Sequence, residues 1–246
     1  MAIAIVIVAG LIIGSFLNAV IFRLHTGRSF ISGRSECPHC GHVLVPWDLI
    51  PIFSFAYLHG RCRYCQEKIS LQYPLVELIT TLVFLLAFIY HLSSITYFFA
   101  CFLIVIAVYD LKHYLILDKV VVPVLGLVIL HNLFLGWHAL GFGLLSGFGI
   151  AGFFLIQYLI SRGRWIGFGD VKLGLLLGNL AGWPASLLVL LIAYFSGAIV
   201  GVVLIISGHK RLGSKLPFGL FLSFSAIIVM LFGNPIITWY FKLIGL

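Results

Sequence analysis

Two aspartates stand where this chain points to chemistry: Asp110 in "IAVYDLKHYLILDKV" and Asp170 in "GFGDVKLG". Each lies at the end of an apolar run, where an ionisable group is costly and is by default a functional candidate. The run before Asp110 arrives at one membrane face and the run after Asp170 leaves from that face, so both carboxylates can sit at similar depth. Two acids within hydrogen-bond reach do not easily both ionise, and would share a proton. One carboxylate then activates water while its protonated partner polarises a carbonyl, which is hydrolysis without a covalent intermediate. Gly167 and Gly169 would supply turning freedom and let a backbone come close. The plainer readings are a hydrated acid in a turn, or an Asp170 neutralised by Lys172 as a structural ion pair.

Four of the five cysteines form a second constellation, "CPHC" at 37–40 and "CRYC" at 62–65. Cys37, Cys40, Cys62 and Cys65 have the doubled C-x2-C spacing of a four-thiolate zinc site, two tight knuckles closing a tetrahedron with no open position. Such a metal is structural. Gly41 lets the chain turn after its pair, so that backbone amides point at the sulfurs. Two disulfides or inert thiols are the competing readings, and a reducing cytoplasmic loop argues against disulfides. Cys101, inside an apolar run, reads as a packing residue.

The elements that must position these groups follow from composition. Of 246 residues, 62% are hydrophobic and 9% charged, far below the roughly 25% charge of soluble domains. Apolar runs long enough to cross a bilayer recur near 2–22, 74–91, 95–111, 118–136, 139–161, 170–182, 185–207 and 217–241. The expected fold is therefore all-α, a polytopic membrane protein of about eight transmembrane helices with one sizeable polar loop. The divisions expected are 1–22 as the first span, 23–73 as a small zinc-binding loop domain, and 74–246 as a membrane domain. The first run has no basic segment before it and no clean small-x-small cleavage pattern, so it reads as a retained span. The sixth is the shortest, rising only about 18–20 Å against a hydrocarbon core of roughly 30 Å.

With eight spans, 14 of the 15 Lys and Arg residues fall in the odd-numbered loops. The positive-inside rule makes that side cytoplasmic and puts both termini outside. The net charge of +8 thus reflects topology and contact with anionic membrane lipid, and gives no reason to invoke nucleic acid. All seven acids lie on or near the same side. Glu36, Asp48 and Glu67 belong to the loop, where a solvated surface role is expected.

Taken together, "GSFLNAVIFRL" at 14–24, the two CxxC pairs, "QYPLVELIT" at 72–80, "DLKHYLILD" at 110–118, "GFGDVKLG" at 167–174 and "PFGLFL" at 217–222 resemble, in order, the bacterial type IV prepilin peptidases. These are GxGD-type membrane aspartic proteases that also N-methylate their products. The resemblance implies Asp110 and Asp170 as the catalytic pair and zinc on the four cysteines. It implies that the cytoplasmic loop is associated with methyl transfer from S-adenosylmethionine. Substrates would be prepilins and pseudopilins, cut after a glycine between a short basic leader and an apolar helix, with the new N-terminal residue, usually Phe, then methylated. The implied setting is the bacterial cytoplasmic (inner) membrane. Ile116-Leu117-Asp118 stands where the family usually has Ile-Pro-Asp, Leu220 where Pro is common, and His25 where Pro follows "FRL"; these departures touch substrate fit rather than the carboxylates.

Gly167, Gly169, Lys172 and Asp118 are read as supporting the peptidase site. Asp118 is too far along the chain from Asp110 to be its partner and reads as a loop or helix-cap acid; Lys172 reads as an edge anchor. Glu77, Asn18 and Arg23 are candidates for the methylation site, with a plain helix-start acid as the alternative for Glu77. "GFGLLSGFGIAG" reads as helix packing. No glycine loop of the soluble methyltransferase kind is visible, so no cofactor-binding residue is assigned. The alternatives are a peptidase alone, its loop serving for docking, and a zinc-stabilised scaffold or transporter component.

Overall fold

The computed structural model describes residues 1–29, 33–211 and 214–243, and among these every regular element is helical. Residues 30–32 of the expected loop domain and 212–213 and 244–246 of the expected membrane domain lie outside them. The long helices are α1 (Ala2–Thr26), α3 (Gln72–Ile89), α4 (Ser94–His113), α5 (Asp118–Leu135), α6 (Trp137–Ser161), α8 (Ala185–Ile206) and α9 (Phe218–Leu243). These seven are long and apolar enough to cross a membrane. A short α2 (Phe53–Tyr57) follows a 3-10 turn at Pro46–Leu49, and α7 (Phe168–Ala181) has fourteen residues. Each expected span coincides with a helix to within a few residues; the first runs one turn further, to Gly27 in the left-handed region.

The chain divides into two compact units, Met1–Val105 and Ile106–Leu246, with the boundary inside α4. In the first, α1 packs along α3. Glycines set how closely: a Cβ at Gly10 would lie 2.6 Å from Thr81 Cα, and one at Gly14 2.7 Å from Glu77 Cα. Without side chains at those two positions the backbones come into direct contact.

In the second unit α7 touches α5, α6, α8 and α9. Asp170, Val171, Leu173, Gly174, Leu176, Leu177, Gly178 and Asn179 are all buried. A fourteen-residue helix has little stability of its own; surrounding neighbours supply it. Its closest partner is α6, running antiparallel: Gly174 faces Ile150 and Phe154, Gly178 faces Gly147, and Asn179 faces Gly143. One face of "GFGLLSGFGIAG", carrying Gly143, Ser146, Gly147 and Ile150, is thus packing surface. Asn132 on α5 donates to the Asn179 carbonyl at 2.9 Å, tying a third helix to the end of α7.

Candidate functional site

Asp110 lies in the last turn of α4, 4% exposed. Its Oδ2 accepts the Leu220 N–H at 3.0 Å. Leu220 is in the first turn of α9, where backbone N–H groups have no helical acceptor, so this carboxylate caps a helix 110 residues downstream. Gly219 permits the approach: a Cβ there would lie 2.9 Å from Asp110 Oδ2. Asp170, 8% exposed, caps its own helix, its Oδ2 accepting the Gly167 N–H at 3.0 Å. Both carboxylates therefore sit at helix starts with one oxygen committed to a backbone N–H, and they lie within electrostatic reach of each other.

Ile116, in the α4–α5 turn, binds the two starts together. Its side chain would be 3.0 Å from a Cβ on Gly169 and 2.9 Å from one on Gly219. Gly169 thus makes room for Ile116. Neither Gly167 nor Gly169 has a positive φ, so the turning freedom expected of them is not used.

Lys172 pairs with Asp118, Nζ lying 2.7 Å from both carboxylate oxygens, and sits 5.1 Å from the Phe168 ring centroid. The ion pair considered between Lys172 and Asp170 is replaced by this one, which links the starts of α5 and α7. Asp118 opens α5 as its first-turn acid.

The four cysteine sulfurs lie within 4.8 Å of one another, and Sγ of Cys37 and Cys65 are 3.9 Å apart. Tetrahedral Zn–S bonds of about 2.3 Å require sulfurs roughly 3.8 Å apart, so the cluster is positioned to bind a metal. The two knuckles repeat one backbone pattern. Cys37 N–H donates to the His42 carbonyl and Gly41 N–H to the Cys37 carbonyl; Cys62 with Glu67, and Gln66 with Cys62, do the same, all at 2.9–3.0 Å. The left-handed position is filled by Gly41 (φ 68°) in one and Gln66 (φ 59°) in the other. That equivalence is hidden in the sequence because only the cysteines match. Burial raises the Cys37 thiol, but the N–H groups of Cys40 and His39 outweigh it and bring it down to about 7. The Glu67 backbone lowers the Cys65 thiol, but desolvation and hydrogen bonds with the other three thiols outweigh it and push it up to about 12.

Asp48 departs from the solvated role expected of it. Its side chain is 3% exposed, accepting from Arg63 Nε at 2.7 Å, Tyr64 Oη at 3.2 Å and Val45 N–H at 3.4 Å. It joins the 3-10 turn to the second knuckle.

Of the methylation candidates, Asn18 and Glu77 converge on Gly14. Asn18 Nδ2 donates to the Gly14 and Tyr73 carbonyls, at 3.3 and 3.0 Å, and its Oδ1 accepts from Gln72 Nε2 at 3.0 Å. Glu77 Oε2 accepts the Ile52 N–H at 2.8 Å. Ile52 has φ 63°, an outlier for a β-branched residue. Arg23 instead holds the segment after α1, donating to the Gly33 carbonyl at 2.8 Å. Gln72 and Gly219 were not singled out from sequence, and Ile116 and Leu220 were noted only in departures from the family pattern, although "QYPLVELIT", "DLKHYLILD" and "PFGLFL" contain all four.

Comparison with known proteins follows the same division. Residues 8–91 match the Bacterial Peptidase A24 N-terminal domain and residues 97–202 the Type IV leader peptidase family. The chain is 33% identical to a prepilin leader peptidase/N-methyltransferase of Burkholderia pseudomallei (strain 1026b), over 96% of this chain and 87% of the relative. It is 30% identical to one of Pseudomonas aeruginosa, over 97% and 93%, and 32% identical to one of Bacillus subtilis (strain 168), over 98% of each. The chain belongs to the prepilin leader peptidase/N-methyltransferase family. No solved structure matches it. The cysteine cluster and Glu77 fall in the A24 N-terminal segment, and Asp110 and Asp170 in the leader peptidase segment. Membership and the seven apolar helices make this a multi-pass membrane protein.

Proposed function

We propose that the chain is a bifunctional prepilin-processing enzyme of the bacterial inner membrane. It removes the basic leader of prepilins and pseudopilins at the cytoplasmic face and methylates the new N-terminus. The observation that carries the peptidase half is the pair of buried carboxylates at two helix starts, within electrostatic reach and each with an oxygen held by a backbone N–H. In the reaction one carboxylate takes a proton from water, whose oxygen attacks the scissile carbonyl carbon. The protonated partner gives its proton to the carbonyl oxygen. Collapse then breaks the C–N bond as the first carboxylate passes its proton to the amide nitrogen. At the same time the second carboxylate takes back a proton from the gem-diol, leaving the free acid, the amine and the pair sharing one proton as at the start. Fixed N–H donors hold both carboxylates in place, so little reorganisation is needed.

Zinc on Cys37, Cys40, Cys62 and Cys65 fits the sulfur spacing and holds the loop in shape. For methyl transfer the reading rests on Glu77 and Asn18, with Arg23 shaping the loop entrance. Gln72 Oε1, buried beside Asn18, has no hydrogen-bond partner among the described residues, a setting suited to an amino group. S-adenosylmethionine, when bound, supplies an electrophilic methyl group; Glu77 and Gln72 provide acceptors to orient the amine that receives it. Asp110→Ala and Asp170→Ala, assayed separately on prepilin, are each expected to abolish cleavage with fold and metal content retained. Wild-type processing by either variant would overturn the pair.

A further inference from the structure

Tyr194, on α8, is 36% exposed, and its hydroxyl meets both atoms of the Gln157 amide on α6. Nε2 donates to Oη at 3.0 Å, and Oη approaches Oε1 at 3.1 Å. The Tyr194 ring lies 5.1 Å from that of Phe218, whose neighbours Gly219 and Leu220 hold Asp110. Tyr194 is also within electrostatic reach of Asp170. The phenol thus packs on the residue that begins α9, directly before the Gly219–Leu220 turn that holds Asp110. Its ring neighbours are all phenylalanines: Phe153 at 6.2 Å, the fully buried Phe154 at 6.5 Å and Phe218, ring centre to ring centre.

A peptide bond must leave helical pairing before its carbonyl carbon can be attacked. In apolar surroundings each backbone N–H or C=O so freed costs several kcal/mol unless it finds a partner. A wall of phenylalanines offers none. An amide carries two donors and an acceptor oxygen with two lone pairs, and a phenol both donates and accepts, so the Tyr194–Gln157 contact leaves hydrogen-bonding capacity on each group. We propose that Tyr194 and Gln157 form a substrate-binding rim that hydrogen-bonds the opened substrate backbone beside the scissile bond. This rests on the peptidase reading above.

The test uses the full-length protein in detergent with a prepilin peptide, comparing wild type, Tyr194→Phe and Gln157→Met. Losing one neutral hydrogen bond corresponds to roughly two- to tenfold in binding, so KM is expected to rise by about that factor with kcat changed less. Peptides in which successive amides flanking the cleavage point are replaced by esters supply the second measurement. One such replacement is expected to raise KM for wild type and have little further effect in Tyr194→Phe. Unchanged KM in both variants overturns the rim. So does a loss confined to kcat, or ester effects that simply add to those of the substitutions, since these mark a structural contact between α6 and α8. Asp170→Asn, run alongside, separates the two levels: cleavage surviving there refutes the peptidase site itself.

Discussion

Gly219→Ala tests the site without touching an acid. The new methyl carbon would lie 2.9 Å from Asp110 Oδ2 and 2.9 Å from Ile116 Cδ1, about 0.4 Å inside an ordinary C···O contact of ~3.3 Å. Ile116 is itself set against Gly169, so the easier release is for the Asp110 carboxylate to move off the Leu220 N–H. A hydrogen bond to a charged group is worth about 1.5–3 kcal/mol, and each ~1.4 kcal/mol of barrier is tenfold in rate. Cleavage is therefore expected to fall roughly 10- to 100-fold. The direction opposes the usual effect of alanine in a helix, a gain of about 0.5–1 kcal/mol over glycine. Gly152→Ala on α6, where a Cβ meets nothing within 4 Å, is the matched control and should keep wild-type rate with equal or higher thermal stability. The assay is the initial rate of prepilin cleavage by purified protein, with the thermal midpoint in parallel. A Gly219→Ala enzyme cutting at wild-type rate would refute the account of how Asp110 is held.

Three further outcomes are expected. Cys37→Ser should release the metal, measured as metal per chain. Because Cys37 in the metal-free cluster ionises near 7, metal affinity should fall more steeply with decreasing pH below 7 than above it, where that proton is already gone; a competition titration giving a flat profile from about pH 6 to 8 would contradict this. Lys172→Met breaks a partly exposed ion pair worth about 0–1 kcal/mol, so the thermal midpoint should barely move, and a more than tenfold loss of cleavage in a folded variant would show that Lys172 takes part in the chemistry. Glu77→Gln keeps an acceptor for the Ile52 N–H while removing the charge, and should lose methyl transfer to a pre-cleaved pilin while retaining cleavage; methyl transfer at wild-type level would exclude the charge from the methylation site.

The helices and the cysteine cluster were legible in the chain because their causes are local. Twenty apolar residues in a row have few alternatives to a membrane helix, and a doubled C-x2-C places its ligands by spacing alone. The short α7 was legible as a run, but its stability comes from four neighbouring helices. Asp110 and Asp170 were visible as costly acids, and the family motifs paired them. What holds them was not visible. The Leu220 N–H reaches Asp110 across 110 residues, Ile116 wedges between two glycines far apart in sequence, and Lys172 takes Asp118 in place of its neighbour Asp170. Asp48 was misjudged for the same reason: its burial depends on Arg63 and Tyr64, brought to it by the second knuckle. Residue type and spacing singled out the groups proposed to carry the chemistry. Only the tertiary structure decided their hydrogen-bond partners and distances, because those depend on contacts between segments whose separation in the chain carries no geometric information.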